Sequence, residues 1–275
     1  MVRRDHRILE TTRCRVDRLM VKDFAPRFLL GRRLLCTGAS SGIGRRFAIA
    51  AAEYGASLVM VGRDQNRLSE TLKSMPEGDH EMVALDMTNS DAVSDWLQSA
   101  SRRLGGFDGV FHSAGNELIR PMRMTKQEQF DACFGASVLG ALGICRAAAS
   151  KDTFRSTGGA VVLMSSVAGL RGQVGMSAYS TTKAAVDGLV RSAALELAPK
   201  AIRVNSIAAG GVRTEMHERI TGKLDAASND AYAARHPLGL GDPDDVVGLG
   251  LFLISDLGRW MTGATIVMDG GYCTR

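Results

Sequence analysis

The sequence predicts an α/β fold built around a parallel sheet, and three observations carry that reading. From about residue 32 to the end, short apolar runs alternate with longer amphipathic segments, the pattern of repeated βαβ units. The short runs are rich in Val, Ile, Leu and Met with little alternation, as strands buried on both faces are. A glycine-rich turn separates the first apolar run from the first amphipathic segment. Taken in order, strands are expected near 32–37, 57–62, 81–86, 108–113, 159–165, 202–207 and 264–268. Helices are expected near 42–54, 64–75, 90–104, 125–150, 177–199 and 243–255. The stretch 210–240 is different: it is polar and weakly periodic, and a connection of that length in a compact domain reads as a lid.

The 275 residues suffice for one large domain, and no linker or repeat divides them. The division expected is a basic N-terminal extension over 1–31 and a single domain over 32–275. The net charge of +5 arises mostly in that extension, where Arg3, Arg4, Arg7, Arg13, Arg15 and Arg18 crowd together. No aromatic residues interleave with these arginines, so stacking platforms for nucleic acid are lacking. Residues 1–19 have no clear apolar stripe and are expected to be dispensable for folding. The five cysteines, Cys14, Cys36, Cys133, Cys145 and Cys273, are widely spaced, with no C-x-x-C pair, which suits a reducing cytoplasm and no metal. No stretch is read as a membrane span, a signal peptide or a transit peptide.

After the first strand comes Thr37-Gly38-Ala39-Ser40-Ser41-Gly42-Ile43-Gly44, followed by a helical run from Arg45. Glycines here let the backbone turn sharply and approach a pyrophosphate, while the helix start offers free N–H groups and a positive dipole end. This is the sign of a dinucleotide site. The second strand ends Val61-Gly62-Arg63, where an NAD-specific protein usually carries an acid for the ribose 2′-hydroxyl. Arg63 instead offers a guanidinium fork to the 2′-phosphate of NADP, with a solvated helix-start Arg as the plainer alternative. Asp86, after the third strand, is a candidate adenine acceptor or a helix-start residue.

Tyr179 and Lys183 stand one helical turn apart at the start of an expected helix and share a face, and Ser166 ends the preceding strand. A tyrosine is a poor base at neutral pH, but a neighbouring ammonium and a nicotinamide cation favour its phenolate. In the reductive direction Tyr179 would give its proton to a carbonyl oxygen held by Ser166. Singly each residue has a dull reading; beside a dinucleotide turn the combination points to hydride transfer.

With these residues the chain resembles the short-chain dehydrogenase/reductase family, in its single-domain form. The likeness runs from about Arg32 to Tyr272 and takes in the TGxxxGxG turn, Asp86-Met87, Ala114-Gly115, Ser166 with Tyr179-x-x-x-Lys183, Ile202-Arg203-Val204-Asn205, and Thr262-Gly263 with Asp269-Gly270-Gly271. It implies a Rossmann-type, doubly wound, parallel seven-stranded sheet with helices on both faces, and a homodimer or homotetramer. The cofactor residues it implies are Gly38, Ser40, Ser41, Gly42, Ile43, Gly44, Arg63, Asp86, Met87, Ala114 and Gly115, with Val212 and Thr214 at the nicotinamide carboxamide. The catalytic set is Ser166, Tyr179, Lys183 and Ser137, the last standing where the family has an asparagine that orders a relay water. His112-Ser113 replaces the usual Asn-Asn, and Ala209-Gly210 the usual Pro-Gly. His112 reads as structural, and a backbone carbonyl near Ser137 is expected to hold the water.

The expectation is therefore a cytoplasmic oxidoreductase that prefers NADP(H), with NAD(H) possible, and acts on a small-molecule ketone or secondary alcohol. Two alternatives stand beside it: a dinucleotide sensor or scaffold with weak catalysis, favoured by Ser137, and an NAD-dependent alcohol dehydrogenase. The substrate pocket is expected from Glu117–Met124, Leu170–Met176 and the segment after Gly210.

Overall fold

The computed structural model describes residues 27–222 and 225–274. Its centre is a seven-stranded, all-parallel sheet: β1 (Arg33–Thr37), β2 (Ser57–Gly62), β3 (Glu81–Ala84), β4 (Gly109–His112), β5 (Gly159–Ser166), β6 (Ile202–Ala209) and β7 (Thr265–Met268). The order across the sheet is β3-β2-β1-β4-β5-β6-β7. The direction of winding reverses between β1 and β4, and ligands of open α/β sheets bind outside the strand ends at such a point.

Helices α1 (Gly42–Glu53), α2 (Gln65–Lys73), α3 (Ser90–Leu104), α4 (Gln127–Phe134), α5 (Gly140–Ala149), α6 (Ser177–Leu197) and α9 (Pro243–Ile254) cover the sheet. Alternate residues of each strand serve opposite layers. Leu34, Cys36, Leu58 and Met60 join Phe47 and Leu251 on the α1/α9 side. Leu35, Val59 and Val61 join Leu97, Ile144 and Val190 on the α3/α5/α6 side. Burial on both faces explains why the strands read as unbroken apolar runs. Phe47 of α1 stacks on Phe111 of β4 at 3.9 Å between ring centres. Local signals set the helix ends: Asn89 accepts from the N–H groups of Asp91 and Ala92, and Gly105, at φ 77°, closes α3.

Some expectations need correcting. Leu29 is buried and Phe28 packs edge-on against Tyr54, so the folded body takes in residues assigned to the extension. Residues 1–26, with their basic cluster, lie outside the described residues. The stretch 210–240 contains two short helices, α7 (Glu215–Thr221) and α8 (Ala226–Ala233). The helix expected over 125–150 is continuous but carries a π-turn at Gly135–Leu139. That run, Gln127–Ala149, has mean hydropathy 1.6 over its most apolar window and is long enough to cross a membrane, against the reading that no stretch comes near. With 61% of the window buried against the rest of the protein, its apolar side chains are used as core.

Candidate active site

The carboxyl ends of β1, β4, β5 and β6 open into one cavity of about 700 Å³, lined by Gly38, Ser40–Ile43, Arg63, Asp86, Met87, Ala114, Gly115, Ser166, Tyr179, Lys183, Val212 and Thr214. Of the predicted cofactor and catalytic residues, Gly44 and Ser137 alone do not line it; of the expected substrate segments before Gly210, only Glu117, Gln173 and Met176 do. Gly44 lies beneath the turn, where a Cβ would strike the Gly38 carbonyl, so it permits the turn without facing a ligand. Gly38, at φ 68°, has the Ser113 backbone so near that a Cβ would sit 2.7 Å from its carbonyl carbon.

Behind the cradle a hydrogen-bonded chain ties the ends of β1 and β4 to the π-turn. The Thr37 hydroxyl lies 2.7 Å from His112 Nδ1, and His112 Nε2 lies 3.2 Å from the Ser137 carbonyl. A carbonyl only accepts, so Nε2 carries the proton and Nδ1 accepts from Thr37. Burial pushes His112 down to about 4, reinforced by the charge of Lys183, and it stays neutral. Ser137 sits inside the π-turn, and its buried hydroxyl has no partner among the described residues. Its carbonyl takes the His112 bond and keeps one lone pair.

Ser166 closes β5; its hydroxyl donates to the Ala209 carbonyl (3.3 Å) and accepts from the Ala168 N–H (3.2 Å). Lys183 is buried one turn after Tyr179 on α6, with Nζ donating to the Met164 carbonyl at 2.9 Å and lying 5.5 Å from the Tyr179 ring centre. Burial brings Lys183 down to about 8, against the pull of Cys133, Asp187 and Glu117. Tyr179 is pushed above the usual phenol range by burial and then by the charge of Glu117, with the Ser166 hydroxyl working against them. The chain's own groups thus act opposite to the phenolate expected from Lys183, because burial and the Glu117 charge both favour the neutral phenol. They hold Tyr179 as the phenol, the form that donates a proton.

At the far end of the cavity Arg63 is exposed and joins no ion pair among the described residues. Its neighbour Arg67 reaches Glu215 at 3.4 Å. Asp86 accepts from the Thr88 N–H at 3.0 Å, a local turn bond, and the helix-start role weighed for it falls to Asn89, which caps α3. Thr214 packs over Gly42, where a Cβ would be 3.2 Å from its Cγ2, and its hydroxyl accepts from the His217 N–H at the start of α7.

Sequence reasoning missed three acids. Glu215 accepts from the Gly42 N–H at 3.0 Å and lies inside the cradle. Asp187 takes bonds from Ser165 (3.0 Å) and Ser206 (2.8 Å) beneath Lys183. Its place one turn after Lys183 on the same face was the available signal. Glu117 was read only as the edge of a pocket segment. It lines the cavity beside the Tyr179/Lys183 pair, and burial raises it to about 7.

The family model described as enoyl-(acyl carrier protein) reductase matches residues 38–273. An uncharacterized oxidoreductase of Mycobacterium tuberculosis is 34% identical over 88% of this chain and 91% of its own length. The L-2,3-butanediol dehydrogenase of Corynebacterium glutamicum is 32% identical over 86% of this chain and 96% of its own. A crystal structure from Agrobacterium tumefaciens with bound NADP superposes with a TM-score of 0.81, at 30% identity, covering 91% of this chain and 99% of that one. The chain belongs to the short-chain dehydrogenase/reductase family. It is an oxidoreductase of the NAD(P)-dependent kind that acts on alcohol and carbonyl groups. The cradle fits that cofactor: Gly38 and Gly42 keep their positive-φ turn free of Cβ atoms, and an N–H of α1 already binds a carboxylate where a pyrophosphate oxygen would be received.

Proposed function

We propose that this protein is an NADP(H)-preferring reductase of small ketones, with Tyr179 as the proton donor, Ser166 as the holder of the carbonyl oxygen and Lys183 as the cation beside them. The observation that carries the reading is the convergence of these three side chains in one cavity with the glycine cradle. The nicotinamide, when bound, supplies the hydride. Ser166, held by the Ala168 N–H, turns its O–H from the Ala209 carbonyl to the substrate carbonyl oxygen, and Tyr179 gives that oxygen its proton as negative charge develops. Lys183 then favours the phenolate left behind, and Asp187 below it holds that end of α6 against β5 and β6.

NADP preference is supported by Arg63, whose guanidinium is uncommitted at the rim of the cavity. Self-association as a dimer or tetramer is supported by the exposed Leu142 on α5 and Leu195 on α6. A cytoplasmic setting is supported by the free cysteines Cys36, Cys133, Cys145 and Cys273. The lid role of 210–240 is supported by α7, which borders both the cradle and the substrate end.

The test is consumption of NADPH and NADH by the purified protein over a panel of ketones, hydroxyketones and acyl-carrier ketoesters. NADPH-dependent reduction is expected, and cofactor binding without turnover of any of them would favour the sensor reading that the unpartnered Ser137 hydroxyl raises.

A further inference from the structure

The loop after β4 is pinned along its length above the active site. The Ser113 N–H bonds the Thr37 carbonyl and the Ala114 N–H bonds the Thr37 hydroxyl, both at 3.2 Å. Asn116 reaches the Ala132 carbonyl and accepts from the Cys133 thiol, and the Arg120 N–H bonds the Gly175 carbonyl at 2.7 Å. Glu117 stands between these anchors, partly buried, and lines the same cavity as Tyr179 and Lys183. Its carboxylate makes no hydrogen bond and no close ion pair among the described residues. A half-buried carboxylate that lines the cavity without a protein partner is open to bond what enters it.

Resting on the proposed ketone reduction, we infer that Glu117 is a specificity residue that accepts a hydrogen bond from a substrate hydroxyl next to the reacting carbon. The substrates it selects are α-hydroxyketones and the corresponding vicinal diols. The charged and titratable groups around Glu117 are Lys183 and Tyr179 on α6, Arg219 on α7, Tyr232 on α8 and Cys133 on α4. Two cations already face it, so a cationic substrate amine would be repelled, whereas a neutral hydroxyl is not. A hydroxyl both donates and accepts, and it therefore pairs with either state of a carboxyl that titrates at about 7. The same end of the cavity carries Gln173, His217 and Tyr232, further polar groups for a hydroxyl-bearing ligand.

The experiment compares 3-hydroxy-2-butanone with 2-butanone, which differ by that one hydroxyl, in the wild type, Glu117→Gln and Glu117→Leu. Wild type is expected to favour the hydroxyketone in kcat/KM. Glu117→Leu should lose about tenfold more in kcat/KM on the hydroxyketone than on 2-butanone, with the difference in KM, while Glu117→Gln, still an acceptor, should retain most of the preference. Equal loss on both ketones, or no preference in the wild type, overturns the assignment. A second measurement does not depend on turnover: calorimetric binding of 2,3-butanediol to protein saturated with NADP, with and without Glu117→Leu. Loss of diol affinity in the variant supports the contact even should no ketone be reduced, in which case the proposed reaction falls and this assignment does not. Unchanged diol affinity overturns it.

Discussion

The carboxylate of Glu215, the first residue of α7, accepts a hydrogen bond from the backbone N–H of Gly42, the first residue of α1, at 3.0 Å. Arg67 and Arg45 approach the same carboxylate at 3.4 and 3.9 Å. Glu215 thus holds an acid against the helix start proposed to receive the cofactor pyrophosphate, and engages Arg67.

Replacing that acid should favour the cofactor. Glu215→Gln is expected to tighten NADPH binding about three- to tenfold, since one charge-assisted bond no longer competes and Arg67 is released. Fluorescence titration of both proteins measures this. Weaker binding by the variant would show that Glu215 arranges the arginines for the cofactor.

Tyr179→Phe deletes the proton donor while keeping the ring that packs near Lys183. Ketone reduction should fall by about 10²–10⁴-fold with NADPH affinity nearly unchanged. Single-turnover kinetics alongside the titration separate the two effects, and near-normal turnover would remove Tyr179 from this role.

Arg63→Ala should cost NADPH much more than NADH. A charge-assisted contact to a phosphate contributes on the order of 1.5–3 kcal/mol, so the preference should drop at least about tenfold. An equal loss for both cofactors would mean that Arg63 supports the fold.

His112 makes the protein acid-sensitive. Its folded pKa, about 4, lies below the roughly 6.5 of an unfolded histidine, so protonation is harder in the folded state. The stability tied to the neutral ring is complete above the unfolded value and drains away as pH falls from there through the folded value, up to about 3 kcal/mol. Melting curves between neutral pH and pH 4 should show this loss in the wild type and a shallower one in His112→Asn. Parallel curves would place the acid sensitivity elsewhere.

The reach of sequence reasoning follows the range of the interactions. Strands buried on both faces are a local matter of composition, and they were legible at once. The convergence of Ser166, Tyr179 and Lys183 was legible too, because Tyr179 and Lys183 share one helical turn and Ser166 ends the strand before them. The π-turn at Gly135–Leu139 was not legible, since it depends on packing of Gly135 against Thr88 and Gly140 against Met87 and His112.

By itself the sequence determined the α/β class, the place of the glycine cradle between β1 and α1, and the placement of Ser166, Tyr179 and Lys183 on adjoining elements. Each depends on spacing within one or two adjoining elements, and hydrogen bonds and periodicity act over that range. Tertiary structure alone decided which charges meet in the cavity. Glu215 is 173 positions from Gly42, and Glu117 influences Tyr179 from a different strand end. Electrostatics and burial act through space, so the ionisation of Tyr179, Lys183 and His112 follows from how the strand ends are brought together and not from the residues beside them in the chain.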